Sequence, residues 1–212
     1  MKEKGPEYYN EIYSKEDSPY LGQPEELIHY YPSWTRAVDI IMRKSKVIGG
    51  IRIVDAGCGP GHFPRILEEK GFFSNEKNSY FGYDFSSQAI KMAKKMVNHK
   101  NAYFYEKNII SDENPFREAY SGRMFDSIIF VSFEFLEHVE EDLGVFDKMK
   151  KNSDIFITVP NFDSTGHVRF FEKTKDVSDR YGEKILIKRE IEEHYIKDDK
   201  LWKLYFVRGK VR

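Results

Sequence analysis

The stretch Val54-Asp55-Ala56-Gly57-Cys58-Gly59-Pro60-Gly61-His62-Phe63 decides how the rest of the chain is read. It joins the end of a β-branched run, IRIVDAG from residue 51, to the start of an amphipathic one, FPRILEEKG. An apolar run, a glycine turn and a helical pattern, in that order, open a βαβ unit. The alternation continues downstream. NSYFGYD is a second run, followed by SSQAIKMAKKMV, where Ser86 is a candidate N-cap and Ala89, Ile90, Ala93 and Met96 or Val97 share one helical face. AYFYEKN is a third run. FDSIIFVSF is a fourth and the most apolar, followed by LGVFDKMK, and SDIFITVPN is a fifth. Continuous apolar runs alternating with helices imply parallel strands covered on both faces. The end differs: EKILIKREIEEHYI and KLWKLYFVRGKVR are separated only by KDDK, residues 197–200, which suits an antiparallel hairpin and leaves no room for a crossover helix. The expectation is a doubly wound α/β fold, with a mainly parallel seven-stranded sheet ending in that hairpin.

The glycine loop also carries chemistry. A dinucleotide site wants G-x-G-x-x-G, but the sixth position from Gly57 is His62. The pattern is G-x-G-x-G, with Asp55 two residues ahead of the first glycine. A carboxylate there would repel a pyrophosphate and suit a ligand bearing an ammonium group. S-adenosylmethionine (SAM) has that ammonium and no phosphate. Asp84 closes the second run, 23 residues beyond Gly61. At the tip of the neighbouring strand an acid can accept hydrogen bonds from both hydroxyls of a ribose; alone it would read equally as a solvated turn residue.

At these residues the chain resembles the class I SAM-dependent methyltransferases: VDAGCGPGHF is similar to their first motif and FGYDFS to their second, and the likeness runs in order over about residues 50–165. The resemblance implies a Rossmann-like methyltransferase fold, with SAM lying over Gly57, Cys58, Gly59 and Gly61. Asp55 would stand near its methionine end, Asp84 would hold the ribose, and Phe85 would touch the adenine edge. Phe133, at the end of the fourth run, would line the same site. Asn108 and Ile109 occupy the place where the family often reads the adenine amino group, and an asparagine carbonyl can accept that hydrogen bond. Cys58 reads as a small residue that fits the loop, not as a nucleophile.

A second constellation follows the fourth run, in Phe133-Glu134-Phe135-Leu136-Glu137-His138. In doubly wound sheets ligands bind beyond the carboxyl ends of strands where strand order reverses, here between the first and fourth strands. On a helix, Glu134, Glu137 and His138 would share one face. Three readings stay open: solvated or capping acids at a helix start, a general base at His138, or a divalent metal such as Mg2+, Mn2+ or Zn2+. His167, 29 residues beyond His138 in Val159-Pro160-Asn161-Phe162-Asp163-Ser164-Thr165-Gly166-His167, is a candidate further ligand and a catalytic partner of His138. Glu134, Glu137, His138 and His167 together resemble the metal-binding residues of small-RNA 3′-terminal 2′-O-methyltransferases. The acid-acid-histidine run is also similar to that of ubiquinone-pathway O-methyltransferases. Arg169 suits either an acceptor anion or an acid such as Asp163. His29, His62, His99 and His194 have no partnered motif and read as structural or surface residues.

Residues 1–45 hold Tyr8, Tyr9, Tyr13, Tyr20, Tyr30, Tyr31 and Trp34, with turns at Pro19–Tyr20 and Pro32–Ser33, before TRAVDIIMRKSK, an amphipathic helix with Ala37, Ile40 and Ile41 inward. This arm either packs its rings on the core or covers a bound ligand as a lid; residues 46–212 form the SAM-dependent domain. The chain's 212 residues suffice for a core without disulfides. With 34 basic and 35 acidic residues, the net charge of −1 supplies no field to attract nucleic acid or an anionic membrane. No apolar run approaches the length of a membrane span, the first residues lack a signal-peptide core, and the single cysteine suits a reducing cytoplasm. A small-molecule O- or N-acceptor is the first expectation, and the terminal ribose of an RNA the alternative, since the arm's rings could stack a base. A protein side chain is a third acceptor class. A nucleotide-dependent oxidoreductase conflicts with the glycine pattern, and a SAM-binding module without activity is the non-enzymatic rival.

Overall fold

In a computed structural model, which describes residues 2–18, 20–122, 125–197 and 200–212, the five expected runs are β1 (Ile51–Ala56), β2 (Ser79–Asp84), β3 (Ala102–Glu106), β4 (Ser127–Phe133) and β5 (Asp154–Pro160). The hairpin is β6 (Ile185–Lys197) with β7 (Lys200–Val211). Pro19 and the centre of the KDDK link, Asp198 and Asp199, lie outside the described residues. The strands form one seven-stranded sheet in the order β3-β2-β1-β4-β5-β7-β6. The first five are parallel, with Val54 opposite both Phe81 and Phe130, and β7 runs antiparallel to β5 and β6. Strand order therefore reverses between β1 and β4, as the connectivity predicts.

The helices are α1 (Pro6–Ser14), α2 (Tyr31–Ser45), α3 (His62–Glu69), α4 (Ser87–Met96), α5 (Arg117–Tyr120), α6 (Asp142–Asp147) and α7 (Thr174–Tyr181). They cover both faces of the sheet. Because successive strand side chains point to opposite faces, Ile51 and Ile53 of β1 join Ala37, Val38 and Ile41 of α2 and Ile66 and Leu67 of α3 in one buried layer. Val54 and Ala56 join Val145, Phe146, Val177 and Tyr181 from α6 and α7 in the other. All of β1 is buried, which accounts for its lack of polar alternation.

Local signals hold well. Ser86 caps α4 by accepting the Ala89 N–H at 3.1 Å, and Ala89, Ile90, Ala93 and Val97 face inward. In α2, Trp34, Ala37, Val38 and Ile41 are buried, while Ile40 is only partly so. Thus α2 belongs to the core. By contrast α1 buries none of its residues completely, yet it lies across α4. No helix among the described residues is long and apolar enough to cross a membrane.

Candidate functional site

One cleft opens beyond the carboxyl ends of β1 and β4 and encloses ≈ 1330 Å³, counting space open to solvent. That is room for a nucleoside-sized ligand and more. Its floor is the loop after β1. Gly57 and Cys58 donate their N–H groups to the Tyr83 carbonyl at 2.9 and 3.1 Å, which turns the chain sharply at the end of β2. Gly57 has φ +80, and a Cβ there would sit 2.5 Å from the Phe135 ring. Gly61 has φ +94, and a Cβ would meet Ala93 Cα at 2.9 Å. Both positions demand glycine on two counts, backbone conformation and space.

Asp84 grips this loop. Its carboxylate accepts the Gly59 N–H at 3.0 Å and the Ser86 N–H at 2.8 Å. Burial pushes its pKa up to about 6, against the pull of those two donors. Asp55 is also buried, accepts the Tyr80 hydroxyl at 2.5 Å, and is pushed up to about 7 by burial. Two carboxylates therefore line the cleft, each with acceptor capacity beyond its protein hydrogen bonds. Cys58 is buried at the cleft wall within electrostatic reach of both, and burial raises its thiol well above the ordinary value. It stays a neutral packing residue, as its place in the loop suggests.

Gly57, Cys58, Gly59, Phe85, Asn108, Ile109 and Phe133 line the same cleft; Gly61 shapes its floor from the start of α3. Asn108 is placed differently from the expectation. Its side-chain carbonyl accepts the N–H groups of Ile110 at 2.9 Å and Ser111 at 3.3 Å. The oxygen expected to meet an adenine amino group is spent closing its own turn, a common use of asparagine in loops.

The cluster after β4 is not a helical face, and the expectation for Glu134, Glu137 and His138 is corrected accordingly. Glu134 has φ +51, and only Leu136–His138 form a single 3-10 turn. The Glu134 N–H is held by Thr158 Oγ1 at 3.1 Å, so the chain kinks as it leaves the sheet. Glu137 is 0% exposed, and neither of its carboxyl oxygens has a hydrogen-bond partner among the described residues. Glu134 Oε1 is likewise buried and unpartnered. Burial raises the pKa of both acids, and repulsion from Glu134 raises Glu137 further.

The two histidines complete the group. Nδ1 of His138 lies 3.1 Å from the Gly166 carbonyl and 3.0 Å from the Tyr9 hydroxyl, and Nδ1 of His167 lies 3.1 Å from the Phe162 carbonyl. A carbonyl can only accept, so each Nδ1 carries the proton and each Nε2 presents a lone pair. Burial, and for His138 the neighbouring His167, depress both imidazoles, His138 to about 4. Glu137, His138 and His167 offer ligand atoms all within 4.8 Å of one another. Three of the four residues expected to meet are thus brought together; Glu134 is not a member of that set, but its carboxyl lies against that of Glu137 and lines the cleft.

Of its two expected roles Arg169 takes the pairing with an acid, which is Asp142 in place of Asp163. It donates to the carbonyls of Leu136 at 2.5 Å, Val139, and Glu140 at 2.9 Å, and pairs with the buried Asp142 at 3.2 Å. It staples the loop that carries His138. Of the four histidines without motif, His62 is buried at the cleft wall, where it stacks on Trp34 at 5.7 Å and bonds the Gly22 carbonyl at 3.0 Å.

What sequence patterning could not locate is the roof. Tyr9 and Tyr13 of α1, with Tyr20, Tyr30 and Trp34, line the cleft opposite the glycine loop. Asn10 fixes α1 there by accepting from Ser86 Oγ at 2.7 Å and the Gln88 N–H at 3.2 Å. The tyrosine-rich arm was the only signal for this wall, and it was compatible with plain packing as well.

Residues 25–199 match the protein family described as a methyltransferase domain. No curated protein matches the chain significantly. Similar solved structures include a SAM-dependent methyltransferase from Anabaena variabilis (13% identity, TM-score 0.67, 100% of this chain and 98% of that one). The N-methyltransferase NodS from Bradyrhizobium japonicum, in complex with S-adenosyl-L-homocysteine, is similar at 15% identity and TM-score 0.61 over 96% of this chain and 97% of that one. The magnesium protoporphyrin IX methyltransferase from Synechocystis, with bound SAM, is similar at 14% identity and TM-score 0.60 over 97% and 90%. The family match is to the methyltransferase domain as a whole and does not reach the narrower kinship with small-RNA or ubiquinone-pathway enzymes.

Proposed function

The chain belongs to the methyltransferase-domain family and is a SAM-dependent methyltransferase; from that premise we propose that it methylates an oxygen or nitrogen of a small molecule enclosed under the α1 roof. The observation that carries this reading is the pairing of Asp84 with the glycine loop: one buried carboxylate shapes the cradle and keeps acceptor capacity facing the cleft. Asp84 would accept the ribose hydroxyls, Asp55 would face the ammonium, and Phe85, Ile109 and Phe133 would enclose the adenosine. SAM, when bound, supplies a methyl group already activated on sulfur. The chain's own work is to align the acceptor, exclude water and take up a proton. Alignment contributes on the order of 7–11 kcal/mol in well-oriented pairs, and a base a further factor of about 100 to 10,000. His138, neutral and with Nε2 unprotonated, is such a base, and His167 stands behind it with ring centroids 4.7 Å apart. The aromatic roof and the absence of a net basic charge favour a small acceptor over a nucleic acid. A buried free thiol suits the cytoplasm.

A second reading rests on Glu137, His138 and His167. A divalent cation on that set would satisfy the orphaned Glu137 carboxylate and lower the pKa of an acceptor hydroxyl, such as a terminal RNA ribose.

Calorimetric titration of SAM and S-adenosylhomocysteine, after chelation and again with Mg2+ or Mn2+, tests both. Saturable binding that Asp84→Ala weakens at least tenfold supports the cofactor site, and metal-dependent turnover supports the second reading. A folded protein that binds neither compound refutes the site assignment. Full turnover after chelation refutes the metal.

A further inference from the structure

We propose that the acceptor is a cationic amine, held by Glu134 against the tyrosine wall of the roof; this rests on the cofactor reading above. Glu134 is the acid that the cofactor and the Glu137–His138–His167 group both leave over. It lines the cleft, its Oε1 is buried without a partner, and no lysine or arginine pairs with it among the described residues. Its backbone is held in the left-handed region, φ +51, with the N–H fixed on Thr158. A glutamate kept there costs roughly 1 kcal/mol or more, and although its carboxyl reaches Thr158 and Glu137, Oε1 is left buried without a partner. The phenols of Tyr20, Tyr30 and Tyr195 lie within electrostatic reach of that carboxylate.

Two lysines line the cleft, Lys4 and Lys107, and Lys4 lies over the Tyr8 ring at 5.5 Å. Lys107 is spent on Glu118 at 2.9 Å and on the Pro115 carbonyl. Arg169 is spent on the loop carbonyls and Asp142. Aromatic faces attract ammonium groups, whereas a carboxylate with no cation beside it repels acidic acceptors. A divalent metal would gain nothing from the rings, and the set that could ligate one does not include Glu134.

The chemistry balances. The bound ammonium gives one proton to His138 Nε2, which frees the nitrogen lone pair. That nitrogen forms its bond to the methyl carbon as the carbon–sulfur bond breaks. The sulfur keeps the bonding pair and leaves as the neutral thioether of S-adenosylhomocysteine. The product is the methylated ammonium, and His138 releases its proton to solvent.

The test uses the full chain saturated with S-adenosylhomocysteine and three probes of one shape: 2-phenylethylamine, 2-phenylethanol and phenylacetate. The amine is expected to bind saturably and the alcohol and acid at least tenfold more weakly. Glu134→Gln is expected to weaken the amine by about tenfold, the loss of one charged contact, while shifting S-adenosylhomocysteine less than twofold. Equal binding of the three probes, or no amine binding up to about 10 mM, overturns the proposal, and this comparison in the unmutated chain stands whatever the stability of the variant. A Glu134→Gln change that weakens S-adenosylhomocysteine and spares the amine also overturns it, since Glu134 would then serve the cofactor. Displacement of the amine by Mn2+ in the unmutated chain but not in Glu134→Gln overturns it as well. Failure of S-adenosylhomocysteine to bind is a failure of the cofactor reading instead, and the same three probes titrated into the ligand-free chain still decide this one.

Discussion

If Asp55 faces the ammonium of the cofactor, as proposed, affinity is expected to depend on pH. Burial beneath the glycine loop, with Asp84 adding repulsion, raises its pKa to about 7, while the Tyr80 hydroxyl pulls the other way. In the ligand-free protein Asp55 is therefore mostly protonated at pH 5.5 and half ionised at pH 7. An ammonium partner binds the carboxylate and not the acid. Binding must expel the proton, so affinity falls as pH falls. With a free-state pKa of about 7 and a much lower value in the complex, Kd should rise about 16-fold from pH 7.0 to 5.5, or about 1.6 kcal/mol. Asp84, raised to about 6, prefers to be ionised when it accepts ribose hydroxyls and adds about fourfold over the same interval. Stability of the free protein runs the other way. A carboxyl with its folded pKa above the unfolded 3.8 stabilises the fold at low pH, and that contribution is lost as pH rises through about 7. The assay is calorimetry with S-adenosylhomocysteine in buffers of different ionisation enthalpy, which counts the proton released on binding. Asp55→Asn should leave only the fourfold share of Asp84. A Kd constant within twofold over the interval, or an equally steep slope in Asp55→Asn, would refute the assignment of Asp55 to the ammonium.

Three further outcomes are expected. Gly57→Ala places a Cβ 2.5 Å from the Phe135 ring at φ +80. It should lower Tm by roughly 2–8 °C, from about 1–2 kcal/mol of strain, and weaken S-adenosylhomocysteine at least tenfold; an unchanged calorimetric melt would show that the loop gives way freely. Asp142→Ala removes a buried acid shared by Arg169 at 3.2 Å, Arg180 at 2.5 Å and the Tyr181 hydroxyl at 2.9 Å. Urea unfolding should show a loss of about 3–5 kcal/mol, and a loss below about 1 kcal/mol would mean the staple on the His138 loop is dispensable. Alanine at both His138 and His167 should cut turnover by about 100- to 10,000-fold with cofactor affinity unchanged. Turnover at the original rate would remove both from the chemistry.

The strand order, the hairpin, the glycine loop and the Ser86 cap were legible because each depends on short-range rules. Strands buried on both faces must be continuously apolar, a turn at φ +80 admits glycine, and a cap needs its oxygen three residues from the N–H it accepts. The positions of Asp55 and Asp84 followed from the same grammar, because the end of a parallel strand is a fixed place in a doubly wound sheet. The protein partners of Asn108 and Arg169 were not legible, for one reason. Their nearest partners, the N–H groups of Ile110 and Ser111 and the carbonyls of Leu136, Val139 and Glu140, belong to irregular backbone whose path no periodicity reports. The supposed helical face of Glu134, Glu137 and His138 failed likewise, since Thr158, on the neighbouring strand, kinks the chain after β4.

The residues in order were enough for the sheet, the glycine loop after β1 and the two acids beside it. Tertiary structure alone decided that Tyr9, 129 residues from His138 in sequence, comes within 3.0 Å of its ring, that Glu137 is sealed from water, and that Glu134, at the cleft wall, keeps one buried carboxyl oxygen without a partner. The physical reason is range. Periodicity and turn chemistry act over a few residues and can be read locally, whereas burial and the meeting of distant side chains exist only once the sheet has brought the arm, β4 and the loop after β5 to one place.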